Sequence, residues 1–368
     1  MSFATASDVM SCIEVVVKDL WEKLLEFKLP KIFPQMTYEE AMSNYGSDKP
    51  DLRLNIKPFF QIQHLLPADL ISKITPLMDP IVEAMLLPLS KDSTPEKTRK
   101  LISDFLDSPQ ATSFHKNPQG GPGVFIYDSG KPLSGLQAFG FEAAERVEDL
   151  FDAEDGDLII LQARENKPFS GGSTPLGNLR LTLAKTAADK ELLDTPPGFM
   201  PLWVTDFPLF SPSNESEPGQ GGSAGLASTH HPFTSPKSAE DVELLQTDPS
   251  KVIGDHYDLV MNGVELGGGS RRIHNAEMQQ FILKEILKMP PERVVEFSHL
   301  LEVLRAGCPP HAGIALGFDR LIAVMLGKES VRDVIAFPKS GKGEDMLVKS
   351  PSEMSEKVLQ TYHLNLRS

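Results

Sequence analysis

The chain has 368 residues and a formal net charge of −15, with 36 Lys and Arg against 51 Asp and Glu. At 40% hydrophobic and 24% charged residues it is too apolar for a wholly disordered chain, and no apolar stretch approaches the roughly 18 residues that cross a bilayer. The acidic excess argues against a nonspecific polyanion binder, while leaving room for a local basic surface; at about 150 residues per domain, the length predicts two or three domains.

Residues 1–29 read as an amphipathic helix. Val9, Ile13, Val16, Leu20, Leu24 and Phe27 recur at steps of three or four, and Thr5 with Asp8 three residues on forms a capping box. The segment contains no Arg and several acids, unlike a presequence, so the chain is expected to start in a core helix without a leader. Cys12 in this segment and Cys308 are the only cysteines; they form neither a disulfide framework nor a zinc pattern and point to a reducing compartment.

Residues 39–53, ending YGSDKPDLR, are polar and turn-rich. Helices are expected over 67–88 and 95–107, then a Pro/Gly loop at 117–123, a helix near 140–151 and an apolar strand from Leu158 to Leu161. Residues 56–165 thus read as a small α+β unit between two others. A helix follows over 174–191, and PLWVTDFPLF at 201–210 predicts a buried strand. The Ser-, Gly-, Pro- and Asn-rich stretch 211–229 is expected to be a mobile loop. Beyond it come a hairpin, helices over 275–288 and 294–306, and a strand–helix unit over 311–327.

The hairpin YDLVMNGVEL, residues 257–266, carries the first chemical signal. Asn262-Gly263 is the strongest short hairpin turn, because both positions need positive φ. A two-residue loop sets Met261 against Val264 and Val260 against Glu265, and Asp258 shares the face of Val260. Two carboxylates on one surface suit a hard cation such as Mg²⁺; a solvated hairpin face bearing ordinary acids explains the pattern as well. The run Gly267-Gly268-Gly269-Ser270-Arg271-Arg272 follows. It is either a floor on which a ligand approaches the backbone or only a bulge, and it lacks the spacing of a phosphate-binding loop.

The order of these segments resembles the aspartyl-tRNA synthetases of the bacterial and mitochondrial type. The resemblance rests on YGSDKPDLR (45–53), HHPFTSPK (230–237), DLVMNGVELGGGSRRIHNAEMQ (258–279), PPHAGIALGFDRL (309–321) and VRDVIAFPK (331–339). It implies an α+β class II fold, a six- to seven-stranded antiparallel sheet flanked by helices, with a small insertion. On that basis residues 1–55 and 166–368 form two parts of a catalytic domain and 56–165 a reduced insertion. The implied reaction joins L-aspartate to ATP as aspartyl-adenylate and then passes the aspartyl group to tRNA(Asp). A homodimer is implied for the full-length member, and a mitochondrial matrix location, with a bacterial cytoplasm as the alternative.

The resemblance also assigns roles. Asp258 and Glu265 correspond to the acids that hold Mg²⁺ and ATP, with Glu265 counted as catalytic. Gly317, Phe318, Asp319 and Arg320 fall on the third signature motif; Arg320, the ATP-clamping catalytic arginine, lies in the first turn of the helix expected there, beside free amide donors. Arg272 matches the residue that grips the aspartate side chain, which a guanidinium fork suits. Strict alternation from Glu265 places Arg271 on that face instead, and a bulge in the glycine run is needed to reconcile the two. Arg271 itself departs from the aliphatic residue usual in the family. His230 matches a histidine on a loop that closes over the amino acid, with His231 as competitor for the role. Met1-Ser2-Phe3 resembles the end of the second motif's strand, implying a fragment that lacks one clamp arginine and is inactive alone. A catalytically dead binding module and the asparagine-specific relative are the competing readings.

Overall fold

The computed structural model describes residues 1–54, 56–90, 93–213 and 221–366, which divide into two compact units, Met1–Ala315 and Leu316–Ser368. Helix α1 (Ala6–Leu25) starts at Thr5, whose side chain and that of Asp8 form the capping box. Its buried stripe is Val9, Met10, Val17 and Trp21, whereas Val16 and Leu24, expected inside, are 42% and 63% exposed. The two stripes share Val9, and beyond it Val17 and Trp21 replace Val16 and Leu20, a shift of one residue or about 100° around the helix. Trp21 decides between them: it is fully buried, edge-on to Phe199 with ring centroids 5.5 Å apart, and an aromatic of that size gains most from burial. After β1 (Gln35–Thr37) comes a second capping box, Thr37 with Glu40, which opens α2 (Tyr38–Tyr45). Part of the segment expected to be turns is therefore helix.

Strands β2 (Phe60–Gln61), β3 (Pro80–Leu87), β4 (Gly123–Ile126) and β5 (Leu158–Glu165) form an antiparallel sheet in the order β2-β3-β5-β4. The helix expected over 67–88 is in fact α3 (Ala68–Ile74) followed by β3. Pro76 and Pro80 cannot continue a helix, and Pro80–Leu87 pairs residue by residue with β5, from Pro80↔Glu165 to Leu87↔Leu158. A run that is apolar except for Glu83 fits either a buried helix or a strand covered on both faces, and here both faces are covered. Val82, Ala84 and Leu86 pack with α3 and α6 (Phe141–Phe151). Met85 and Leu87 pack with α4 (Pro95–Leu106) and α7 (Pro175–Asp189); α5 (Thr112–His115) is a single turn.

The larger sheet has the order β1-β6-β9-β10-β11, with β6 (Pro201–Thr205), β9 (His256–Met261), β10 (Val264–Arg271) and β11 (Ala312–Leu316). Among the described residues it has five strands, and β1 runs parallel to β6, where the resemblance implies six or seven antiparallel strands. The start of the chain joins its far edge: Ser2 bridges His311, and the Met1 carbonyl accepts from Ala312 N–H. Tyr38, Ala41 and Met42 of α2 pack on Leu202, Val204 and Val260. The strand expected over 201–210 breaks at Asp206, where φ is +61°, and β7 (Phe210–Pro212) pairs with β8 (Leu226–Ser228). Both ends of the expected loop are thus strands; its residues 214–220 lie outside the described residues. Helix α8 (Ala239–Thr247) precedes the hairpin. The expected C-terminal helices appear as α9 (Ala276–Phe281) with a following π-helical turn, α10 (Pro291–Glu296) and α11 (Ser298–Arg305). The second unit contains α12 (Phe318–Met325) and α13 (Glu356–Thr361). No described helix is long and apolar enough to cross a membrane.

Candidate active site

The β9–β10 hairpin turns at Asn262 and Gly263, with φ of +53° and +79°, and pairs Val264 with Met261 and Glu265 with Val260. The register then slips: Gly267 pairs with Leu259 and Gly268 with Asp258, so Leu266 is an extra residue. One inserted residue reverses which side chains face which side of the sheet. Gly268, Ser270 and Arg272 therefore follow Glu265 onto the face of Asp258, and Arg271 turns away. There its Nε lies 2.6 Å from Asp255 Oδ2, and its Nη2 donates to the Pro236 carbonyl at 2.7 Å. The bulge reconciles alternation with Arg272, and the unusual Arg271 has an acid of its own.

The glycines have separate duties. A Cβ on Gly268 would sit 2.6 Å from Asp258 Oδ1 and 3.5 Å from Glu265 Oε1, so both carboxylates converge on the space that this residue leaves open. A Cβ on Gly269 would lie 2.2 Å from the Gly313 carbonyl, which makes that glycine a seat for β11. Two carboxylates over a cradle without a side chain are hard oxygen donors of the kind Mg²⁺ takes alongside phosphate oxygens and water.

Around the acids stand His230 and two groups to which the sequence assigns no role, His256 and Lys49. His256, buried and two residues before Asp258 on the same strand face, has its Nε2 2.9 Å from Asp258 Oδ1. The His230 ring stacks on it, centroids 3.6 Å apart and planes 14° apart, with its Nε2 4.0 Å from Asp258 Oδ2. Burial drives both imidazoles below their ordinary value, His230 to about 3 and His256 to about 4, so both are neutral at physiological pH. Lys49, from YGSDKPDLR, lies 3.0 Å from Asp48 Oδ2 and 3.6 Å from Glu265 Oε2. Burial pulls its ammonium down, but Asp48, Glu265 and Asp258 outweigh that and hold it above its ordinary value. Burial pushes the Asp48 carboxyl up against the pull of Lys49. Strand parity could have found His256. For Lys49, its place between Asp48 and Asp51 in the run YGSDKPDLR was the available signal.

Arg272 stands where two segments meet. Its N–H donates to the His311 carbonyl at 2.9 Å, and it bridges Thr234, which brings the 230–234 loop beside it. Its Nη1 donates to Nδ1 of His231 at 3.2 Å, and burial followed by the charge of Arg272 lowers His231 to about 4. The two adjacent histidines therefore divide the work: His230 covers Asp258 and His231 accepts from Arg272. Burial also lowers Arg272 from its ordinary value, and among the described residues it has no carboxylate partner. Asp258, Glu265, His230 and Arg272 are thus gathered within the first unit. Gly317, Phe318, Asp319 and Arg320 lie in the second, where Gly317 precedes α12, Phe318 is largely exposed, and Asp319 and Arg320 occupy the first turn.

The family model of the class II tRNA synthetases (D, K and N) matches residues 1–341. The mitochondrial aspartate–tRNA ligase of Schizosaccharomyces pombe is 39% identical over 364 residues, covering 95% of this chain and 54% of that protein. The human mitochondrial aspartate–tRNA ligase is 38% identical, covering 100% of this chain and 54% of that protein. The solved aspartyl tRNA synthetase from Entamoeba histolytica is 15% identical, with a TM-score of 0.31, over 91% of this chain and 59% of that one. The chain spans about half the length of the curated relatives it matches.

Proposed function

The chain belongs to the class II tRNA synthetases of the D, K and N group, and from that premise we propose that it carries the adenylate-forming site of an aspartate–tRNA ligase. Arg272 carries this reading: a half-buried guanidinium with no carboxylate partner among the described residues, on the face of the two acids. A bound aspartate side chain supplies the missing anion, in the paired geometry that a guanidinium fork favours. Asparagine in its place leaves the half-buried charge unpaired, a cost of at most about 3–5 kcal/mol, the range for a fully buried pair. The site is then selective for the anion rather than for its shape.

No side-chain nucleophile takes part. The α-carboxylate of aspartate attacks the α-phosphorus of ATP and pyrophosphate leaves; a hydroxyl of the terminal adenosine of tRNA(Asp) then attacks the acyl carbon of the adenylate, and AMP leaves. The protein's contribution is to hold the reactants in line and to offset phosphate charge. Arg272 orients the amino acid and His230 closes over it as a neutral ring. Gly317, Phe318, Asp319 and Arg320 receive ATP, with Arg320 clamping its charge. Asp258 and Glu265 would hold Mg²⁺, which when bound supplies positive charge to the phosphate oxygens. Lys49 neutralises Glu265 until nucleotide arrives.

The same reading assigns 1–55 and 166–368 to the catalytic domain and 56–165 to a reduced insertion, which the separate four-stranded sheet supports. It places the protein in mitochondria, as the names of its relatives suggest, and the full-length protein as a homodimer. The test is ATP–pyrophosphate exchange with the complete gene product: exchange dependent on aspartate and not on asparagine is expected. Absence of exchange defeats the ligase reading in favour of a binding module, and a preference for asparagine defeats the role of Arg272.

A further inference from the structure

One cluster in the site has a donor set that magnesium chemistry does not call for. His230 and His256 each offer a ring nitrogen, and Asp258 a carboxylate oxygen, with the three ligand atoms within 4.8 Å of one another. Magnesium takes oxygen donors; imidazole nitrogen selects zinc, cobalt, nickel or copper. Neither histidine is needed to hold a hard cation, and His256 has been given no substrate to touch.

We propose that His230, His256 and Asp258 form a binding site for a borderline divalent transition-metal ion, with Zn²⁺ as the probe, distinct in donor chemistry from the all-oxygen pair Asp258 and Glu265. Two histidines and one carboxylate leave a fourth, open position on a tetrahedral ion. Ligand atoms about 2.0–2.2 Å from such an ion stand roughly 3.4 Å apart. The observed separations from Asp258, 2.9 Å to His256 Nε2 and 4.0 Å to His230 Nε2, bracket that value. His256 Nδ1 is buried without a hydrogen-bond partner, so the proton that Nε2 now donates to Asp258 passes to Nδ1 when Nε2 takes the metal, and the ring stays neutral. His230 must leave its stacked position; it sits in a bend between β8 and the Thr234 bridge, outside any helix or strand.

Asp258 is shared between the two donor sets. An ion on the histidines removes one carboxylate from the pair proposed for Mg²⁺ and ties the His230 loop to the sheet. Zinc should therefore oppose Mg²⁺ at this site, and its binding does not depend on the ligase reading.

The experiment is calorimetric titration of the protein with Zn²⁺ in a non-chelating buffer, in parallel with Co²⁺ read by visible absorption. The expected result is one equivalent of Zn²⁺, retained in the presence of excess Mg²⁺, and a Co²⁺ spectrum of tetrahedral intensity. His256→Phe and His230→Ala should each weaken Zn²⁺ at least about tenfold, the loss seen even for residues that only orient a ligand. Glu265→Gln should leave Zn²⁺ binding unchanged and weaken Mg²⁺. Thermal melts of each variant establish that the fold persists; should His256→Phe fail to fold, His256→Gln and the Co²⁺ spectrum of the unaltered protein decide. Absence of a stoichiometric site, equal binding in the histidine variants, or displacement by Mg²⁺ overturns the proposal.

Discussion

The two main sheets both bury charge, and they handle it differently. On the four-stranded sheet, Arg164 of β5 meets Glu83 of β3 with Nε and Oε1 2.7 Å apart. The same guanidinium donates to the carbonyls of Glu165 and Lys167 and lies 4.3 Å from the Phe169 ring centroid. Each charge is matched inside the protein, so nothing is left over for a ligand. On the five-stranded sheet, Asp258 and Glu265 face imidazole and ammonium groups, while Arg272 has only a neutral histidine among the described residues. A buried pair that is complete tells about folding; a buried charge whose complement is missing tells about what binds.

Removing one partner from each arrangement tests this contrast directly. Arg164→Ala strands Glu83 in the interior and is expected to cost about 3–5 kcal/mol of stability, read as a fall in the urea midpoint, with little effect on exchange beyond the folded fraction. Arg272→Ala should do the reverse: a stability change below about 1 kcal/mol, and aspartate-dependent exchange reduced about 10²–10³-fold. A variant of Arg272 that unfolds the protein, or one of Arg164 that does not destabilise it, breaks the distinction.

The adjacent glycines sharpen it within a single strand. Gly269→Ala pushes a methyl into the Gly313 carbonyl and should lower stability by about 1–3 kcal/mol. Gly268→Ala meets the Asp258 carboxylate instead; it should raise the Mg²⁺ needed for half-maximal exchange by one to two orders of magnitude, roughly the penalty for displacing an aligned group, while the melting temperature moves little.

The smallest effects belong to local structure far from either charge. Thr5→Ala removes the cap of α1 and should cost about 1 kcal/mol. The Thr5 backbone N–H holds the Asp8 carboxyl below its ordinary value. A lowered carboxylate stabilises the folded state above the usual carboxylate range, and that contribution disappears as pH falls through the lowered value. An Asp8→Asn variant should therefore lose stability at neutral pH and converge with the unaltered protein in acid, as followed by thermal melts across pH.

What could be read in advance is closely tied to distance along the chain. The Thr5–Asp8 box and the Asn262-Gly263 turn involve residues three or fewer apart, and both form as expected. The register from Val264 to Glu265 follows from the turn alone. Thr37 and Glu40 form an equally local box, masked in the sequence by the polar, turn-rich run that follows it. Residues 80–87 failed for another reason: an apolar run does not say whether it will meet its own helix or a strand some 80 residues away. Helix α1 offered two apolar stripes, and the buried one is that of Trp21, which meets Phe199 nearly 180 residues away.

By itself, the amino-acid order determined which short segments cap, turn and alternate, because those preferences are settled by φ, ψ and hydrogen bonds within a few residues. It also held the motifs that mark the family. Only the tertiary structure decided where Leu266 bulges, and hence that Arg272 rather than Arg271 faces the acids, since a slip of one residue is settled by what both faces of the sheet pack against. The same holds for Lys49 and His230, whose places beside Glu265 and Asp258 depend on chain segments that meet only after the long-range pairings have closed.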